Sequence, residues 1–184
     1  NPGTELAGDA AKKFKQTFTK TAHFCLAMAI QKQQTTPITP DEALARMENF
    51  CAYRERCPQE VRRKMAELEI TEETARQVWQ VLEADGYVDE ERFARAFAGG
   101  KFRINQWGRV RIRLELRQRG IAPAVIEQAL AEIDEEAYLA VLKSLLEKRQ
   151  LYYSGDPNSW AKSAAALVRA GFEPELVFRF LVKT

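Results

Sequence analysis

Histidine is nearly missing from this chain: His23 is the only one among 184 residues. Most of the usual supply of general bases and zinc ligands goes with it. Cys25, Cys51 and Cys57 are an odd set at spacings that suit no metal site. Free thiols in a reducing, cytoplasmic compartment are therefore expected rather than disulfides. A glycine-rich phosphate loop, a nucleophile elbow and a metal-ligand cluster are all lacking, so no enzyme and no cofactor is expected. No apolar run approaches bilayer length, and no membrane partner is expected. Alternating strand patterns are absent too, which leaves an all-α chain. Even a basic excess is lacking, since the formal net charge is only +2.

What is present is a lopsided distribution of charge. Residues 1–40 hold five Lys/Arg against two acids, and 41–88 hold seven against eleven. Residues 89–133 hold nine against six, and 134–184 hold seven of each. The cations gather in the middle: Lys101, Arg103, Arg109, Arg111, Arg113, Arg117 and Arg119 share their stretch with one acid, Glu115. Arg109, Arg113 and Arg117 recur every four residues and are expected along one helical face. Arginine donates in a planar fork and stays charged, so such a ridge suits phosphates or carboxylates. The alternative is a solvated charged face with local pairs such as Arg111–Glu115. Ile112 and Leu116 occupy one side of that helix, and Val110 and Leu114 nearly the opposite one. A helix apolar on two sides is expected to be sandwiched between neighbours.

The N-terminal stretch has lysines at 12, 13, 15 and 20 before His23–Ile30, too short an apolar segment for a secretory signal. It reads as a short amphipathic helix or an extension. Residues 31–40 are polar with two prolines and read as a linker. Beyond it, Ala43, Leu44, Met47, Phe50 and Cys51 form a helical stripe, followed by one with Val61, Met65 and Leu68. A third carries Ala75, Val78, Trp79 and Leu82. Gly86 reads as a helix stop and Asp89 as the N-cap of the next helix, with Arg92 at N3.

Ile70, Ile121 and Phe172 stand at equal intervals of 51 residues. Each follows a helix end (Glu69, Gly120, Gly171) and precedes a new helix, with Pro123 and Pro174 in matching first turns. Val78–Trp79, Ala129–Leu130 and Phe180–Leu181 match as expected buried pairs. The pattern predicts three tandem three-helix, helix-turn-helix-like repeats at 41–88, 89–133 and 134–184, after an unassigned extension at 1–40. Such repeats form an elongated, curved array that offers a surface rather than a pocket.

Gly86-Tyr87-Val88-Asp89 leading to Arg92-Phe93-Ala94, then Gly108, Arg111-Ile112, Glu115-Leu116 and Gly120-Ile121, resemble the central motifs of the RecX family of bacterial RecA regulators. Cys51–Cys57 with Val61, Met65 and Leu68 resembles that family's first repeat. Glu69 departs from the usual glycine, and Glu90 from a frequent aspartate. The resemblance implies a cytoplasmic monomer that binds the RecA–DNA filament and lowers RecA activity in DNA repair and the SOS response. It also implies weak, non-specific affinity for single- or double-stranded DNA. On that reading Lys101, Arg103, Arg109, Arg111, Arg113 and Arg117 are the candidate contacts. Other readings are a helix-turn-helix transcription regulator, with Asn105 and Gln106 as weak base readers, or a helical interaction scaffold. Trp79 is expected in the core, and Trp107 either packs or makes contact. Tyr152, Tyr153 and Trp160 are expected around a surface loop.

Overall fold

The computed structural model describes residues 38–181, in which every regular element is an α-helix. The lysine-rich N-terminal stretch, His23, Cys25 and most of the expected linker lie outside the described residues. The helices are α1 (Pro40–Ala52), α2 (Pro58–Glu67), α3 (Glu72–Ala84), α4 (Glu90–Asn105), α5 (Arg109–Gln118), α6 (Pro123–Ala131), α7 (Glu135–Tyr152), α8 (Ser159–Ala170) and α9 (Pro174–Leu181). They pack in consecutive threes: α1 on α2 and α3, α4–α6 on one another, and α7–α9 likewise.

Local chemistry sets the helix starts. The Thr39 hydroxyl accepts from the Glu42 amide, and Thr71 accepts from that of Thr74. The Asp89 carboxylate accepts from Arg92 N–H at 2.9 Å, and Asp134 accepts from Ala137 N–H at 2.7 Å. Each cap satisfies an amide that the helix cannot reach. Pro40, Pro58, Pro123 and Pro174 each open a helix, where no N–H is required. The first helix thus begins on the last residue of the expected linker.

The helix ends that precede the repeated plug share one construction. Ile70, Ile121 and Phe172 donate their N–H to Met65, Leu116 and Leu167, each five residues back, at 3.1–3.2 Å. The preceding residue bonds three residues back in every case. Residues 69, 120 and 171 all take positive φ, at 53°, 74° and 94°. This is a Schellman-type turn, in which the left-handed residue closes the helix and the next side chain turns inward. Ile121 and Phe172 are buried, and Ile70 half-buried. Only the first turn builds it with a side chain, Glu69, in a conformation that costs an L-residue roughly 1–2 kcal/mol.

The first module buries Ala43, Met47, Cys51, Val61, Met65, Val78 and Leu82. Cys51 and Cys57 are free and buried, and burial is the main cause that raises both thiol pKa values. The second and third modules share one continuous apolar cluster that runs from Phe93 through Ile112, Leu116, Ile126 and Tyr138 to Phe172 and Val177, with Cys57 added from the first. Of the three expected buried pairs, Ala129–Leu130 is fully buried. Trp79 is half-buried instead, and its ring carries the Arg62 guanidinium 4.6 Å from the centroid. Phe180 and Leu181 are half-buried as well. Tyr152 and Trp160 are exposed beside the 153–158 turn.

Glu69→Gly is expected to stabilise the fold by about 0.5–1 kcal/mol, because glycine relieves the left-handed strain but loses more chain entropy on folding. A higher urea midpoint at unchanged m-value checks this; a lower midpoint contradicts it.

Candidate functional site

The basic helix α5 does not stand free at its N-terminus. Gly108 N–H donates to the Ala170 carbonyl at 2.9 Å, and Val110 N–H to that of Gly171 at 3.0 Å. Between them, Arg109 N–H donates to the Tyr138 hydroxyl at 3.0 Å. The amide end of α5 is therefore seated on the carbonyl end of α8, positive pole against negative. The approach is so close that a Cβ on Gly108 would lie 2.0 Å from the Gly171 oxygen. One on Gly171 would lie 2.2 Å from the Arg111 Cβ.

Tyr138 locks this joint. It is 0% exposed, with its ring 5.6 Å from Phe102 and 5.2 Å from Phe172. Its hydroxyl accepts from Arg109 and donates to the Glu173 carboxylate at 2.6 Å. Burial, and then the bond to Glu173, push the phenol pKa well above its ordinary value. Arg109 closes the arrangement from outside. Its guanidinium lies 4.1 Å over the Tyr138 ring, pairs with Glu135 at 2.8 Å and donates to the Ile133 carbonyl at 3.0 Å.

The expected single row of arginines is divided. Four residues advance a helix by about 40° more than a full turn, so a row at that spacing winds around the axis. Arg109, with its side chain 17% exposed, falls in the joint. Arg113, at 29%, grips Glu127 with two bonds of 2.7 and 2.8 Å. That hydrogen-bonded pairing raises the Arg113 pKa and lowers that of Glu127. Arg117 reaches the exposed outer side.

The expectation of a helix sandwiched on two sides is corrected too. Ile112 and Leu116 are buried, but Val110 is 44% and Leu114 56% exposed. The local pair also differs from the expected Arg111–Glu115, for Glu115 binds Arg119 at 2.6 Å. Arg111 instead lies 3.8 Å over the Trp107 ring, and Lys101 lies 4.8 Å from the same centroid. Trp107 is half-buried against the core and gathers these two cations. Sequence reasoning left its role open, and stacked cations occupy the ring that a base would need. Arg103 is exposed in the last turn of α4. Among the described residues, Arg103, Arg111 and Arg117 make no ion pair.

The structure thus brings Lys101 and Arg111 together, leaves Arg103 and Arg117 outward, and commits Arg109 and Arg113 to internal partners. A cleft of about 710 Å³ opens beside those last two. Its rim also carries Glu127, Glu132, Asp134, Glu135 and Glu173. Five carboxylates against two guanidiniums, each already paired, make it unsuited to phosphate. No metal-binding group of carboxylate, cysteine or histidine side chains occurs among the described residues. No described helix is long and apolar enough to cross a membrane.

Residues 89–130, which span α4–α6, match the second three-helix domain of RecX. The regulatory protein RecX of Halorhodospira halophila is 34% identical over 131 residues, covering 68% of this chain and 78% of that protein. The chain belongs to the RecX family. The RecX of Prosthecochloris aestuarii is 29% identical over 136 residues, which is 74% of this chain and 89% of that one. A crystal structure of RecX from Lactobacillus salivarius has the same fold, with a TM-score of 0.73 at 21% identity, covering 78% of this chain and 95% of that one. Some RecX relatives are longer, and the chain spans about half the length of those from Leuconostoc citreum and Geobacillus kaustophilus.

Tyr138→Phe removes one acceptor and one donor from the joint and is expected to cost about 1–3 kcal/mol. Arg117→Gln, on the open side, is expected to stay within about 0.5 kcal/mol. Urea titrations distinguish the two, and equal effects would contradict this division of the arginines. The Glu127 pKa is lowered in the folded state, so the stability from its pairing with Arg113 is present at neutral pH. It fades as pH falls through the range where that carboxyl protonates. An Arg113→Gln variant should accordingly lose that part of the acid dependence.

Proposed function

We propose that this RecX-family chain binds the RecA–DNA filament and lowers RecA's recombinase and ATPase activity, modulating DNA repair and the SOS response in the cytoplasm. The observation that carries the proposal is the set of exposed Arg103, Arg111 and Arg117 with half-buried Lys101 beside them on α4 and α5. These cations leave three arginines without carboxylates of their own, while Arg109, Arg113 and Arg119 are internally paired. Salt-screened contacts to phosphates fit such a set, and they position a protein on nucleic acid without reading its sequence. DNA enters as a weak, non-specific partner, and the chain acts by occupancy rather than catalysis. Arg109 and Arg113, candidates from the sequence, serve this function by holding α5 in place.

The joint bears on the transcription-regulator reading. Recognition helices contact bases from their N-terminal residues, and the amides opening α5 are bonded to Ala170, Tyr138 and Gly171. Gln106 is the left-handed cap of α4, and Gly108 is buried. Those amides are not open to base edges, whereas Asn105 at the end of α4 is exposed.

The purified chain is expected to suppress RecA's DNA-dependent ATP hydrolysis while hydrolysing no ATP itself. Undiminished hydrolysis at a large molar excess would sink the proposal. Four phosphate contacts would give its affinity for single-stranded DNA a log–log salt slope of about −3. Arg111→Glu with Arg117→Glu should weaken binding and flatten that slope at unchanged helical content.

A further inference from the structure

The cations of α5 do not account for its outer face. About 100° of rotation per residue places Val110 and Leu114 directly opposite the buried Ile112 and Leu116. Arg117 then flanks the pair on one side, with Arg111 and Gln118 on the other. Val110 and Leu114 are one turn apart and each about half exposed, while Arg111 and Arg117 make no ion pair among the described residues. Ile104, 82% exposed, lies in the last turn of α4, and half-buried Trp107 in the connection that leads into α5. A helix whose only role is phosphate contact has no use for an aliphatic stripe between its arginines.

We infer that the outer face of α5 docks an acidic protein segment carrying at least one apolar side chain. Resting on the filament reading above, the inference assigns this segment to the protein component of the filament rather than to its DNA. Charge complementarity argues for it. Carboxylates of the protein component would join the phosphates around Arg111 and Arg117 while an apolar side chain covers Val110 and Leu114; a phosphate backbone alone does only the first. The N-terminal segment of this chain has the wrong sign, with five Lys/Arg against two acids in residues 1–40. A second copy related by two-fold symmetry would set Arg111 and Arg117 against themselves.

The test is Val110→Ser with Leu114→Ser, beside Leu114→Met as a conservative variant, all in the full chain. Two readouts are compared: the concentration that half-inhibits RecA's DNA-dependent ATP hydrolysis, and the affinity for a single-stranded oligonucleotide alone. Both serines lie on the open side, and circular dichroism with a urea titration verifies folding. The double serine variant should need at least about tenfold more protein for half-inhibition, because two aliphatic side chains no longer leave water on docking. Its oligonucleotide affinity should stay within about twofold of the parent, and Leu114→Met should keep parental potency. Parental potency in the double variant would overturn the inference, as would parallel loss of oligonucleotide affinity, which makes the stripe a DNA contact. Should the double variant unfold, Leu114→Ser alone decides by the same two readouts. A parent chain that fails to inhibit overturns the filament reading and this inference together, which sets that failure apart from the others.

Discussion

The junction of α5 with α8 constrains everything around it. Two helix ends, one rich in unsatisfied N–H groups and one in unsatisfied carbonyls, satisfy each other across two modules. Their opposed partial charges add to the hydrogen bonds. The contact demands glycine at 108 and 171, because any side chain there would meet backbone or Cβ atoms at close to 2 Å. Tyr138 fills the space beneath and converts a remaining orphan amide into a bonded one. The second and third modules therefore share an apolar cluster rather than merely adjoining.

That junction also determines which cations are free to act. A helix with its first turn fixed has its rotation fixed, and each arginine then falls where its angle places it. Arg113 meets the Glu127 carboxylate of α6, and Arg109 meets the Glu135 carboxylate of α7 and the Ile133 carbonyl in the loop between them. Among the described residues, Arg103, Arg111 and Arg117 make no ion pair. The outer face of α5 is thus cationic and apolar together. Phosphate attracts the guanidiniums, whereas Val110 and Leu114 gain only from another apolar group.

The three Schellman-type turns show how one backbone solution serves different sequences. Gly120 and Gly171 take positive φ without a Cβ penalty, and Glu69 adopts the same conformation despite one. The turn is tolerated there because the hydrogen bonds behind it, from Glu69 to Ala66 and from Ile70 to Met65, are complete. A first module that gives up about 1 kcal/mol at this turn remains within the reach of a core containing Met47, Val61 and Leu82.

Local signals determined the helices. Three- and four-residue spacing, prolines at first turns, the Asp89 cap and the 51-residue interval are all read over short distances or by simple repetition. Helix formation and capping are themselves short-range, so all-α triplets and the turns between them were legible in the chain. Burial within a helix was partly legible: Ile112 and Leu116 were placed correctly, whereas Val110 and Leu114 were given a neighbour they lack. The division of the arginines was not legible. It depends on Tyr138, Glu127, Glu135, Ala170 and Gly171, which stand between 14 and 62 positions from the arginines or amides they meet. Periodicity states that two side chains share a stripe, but it carries no information on what lies opposite that stripe. Only the packed structure, by bringing distant carboxylates and carbonyls to one end of α5, decided which positive charges were paired inside and which remained exposed.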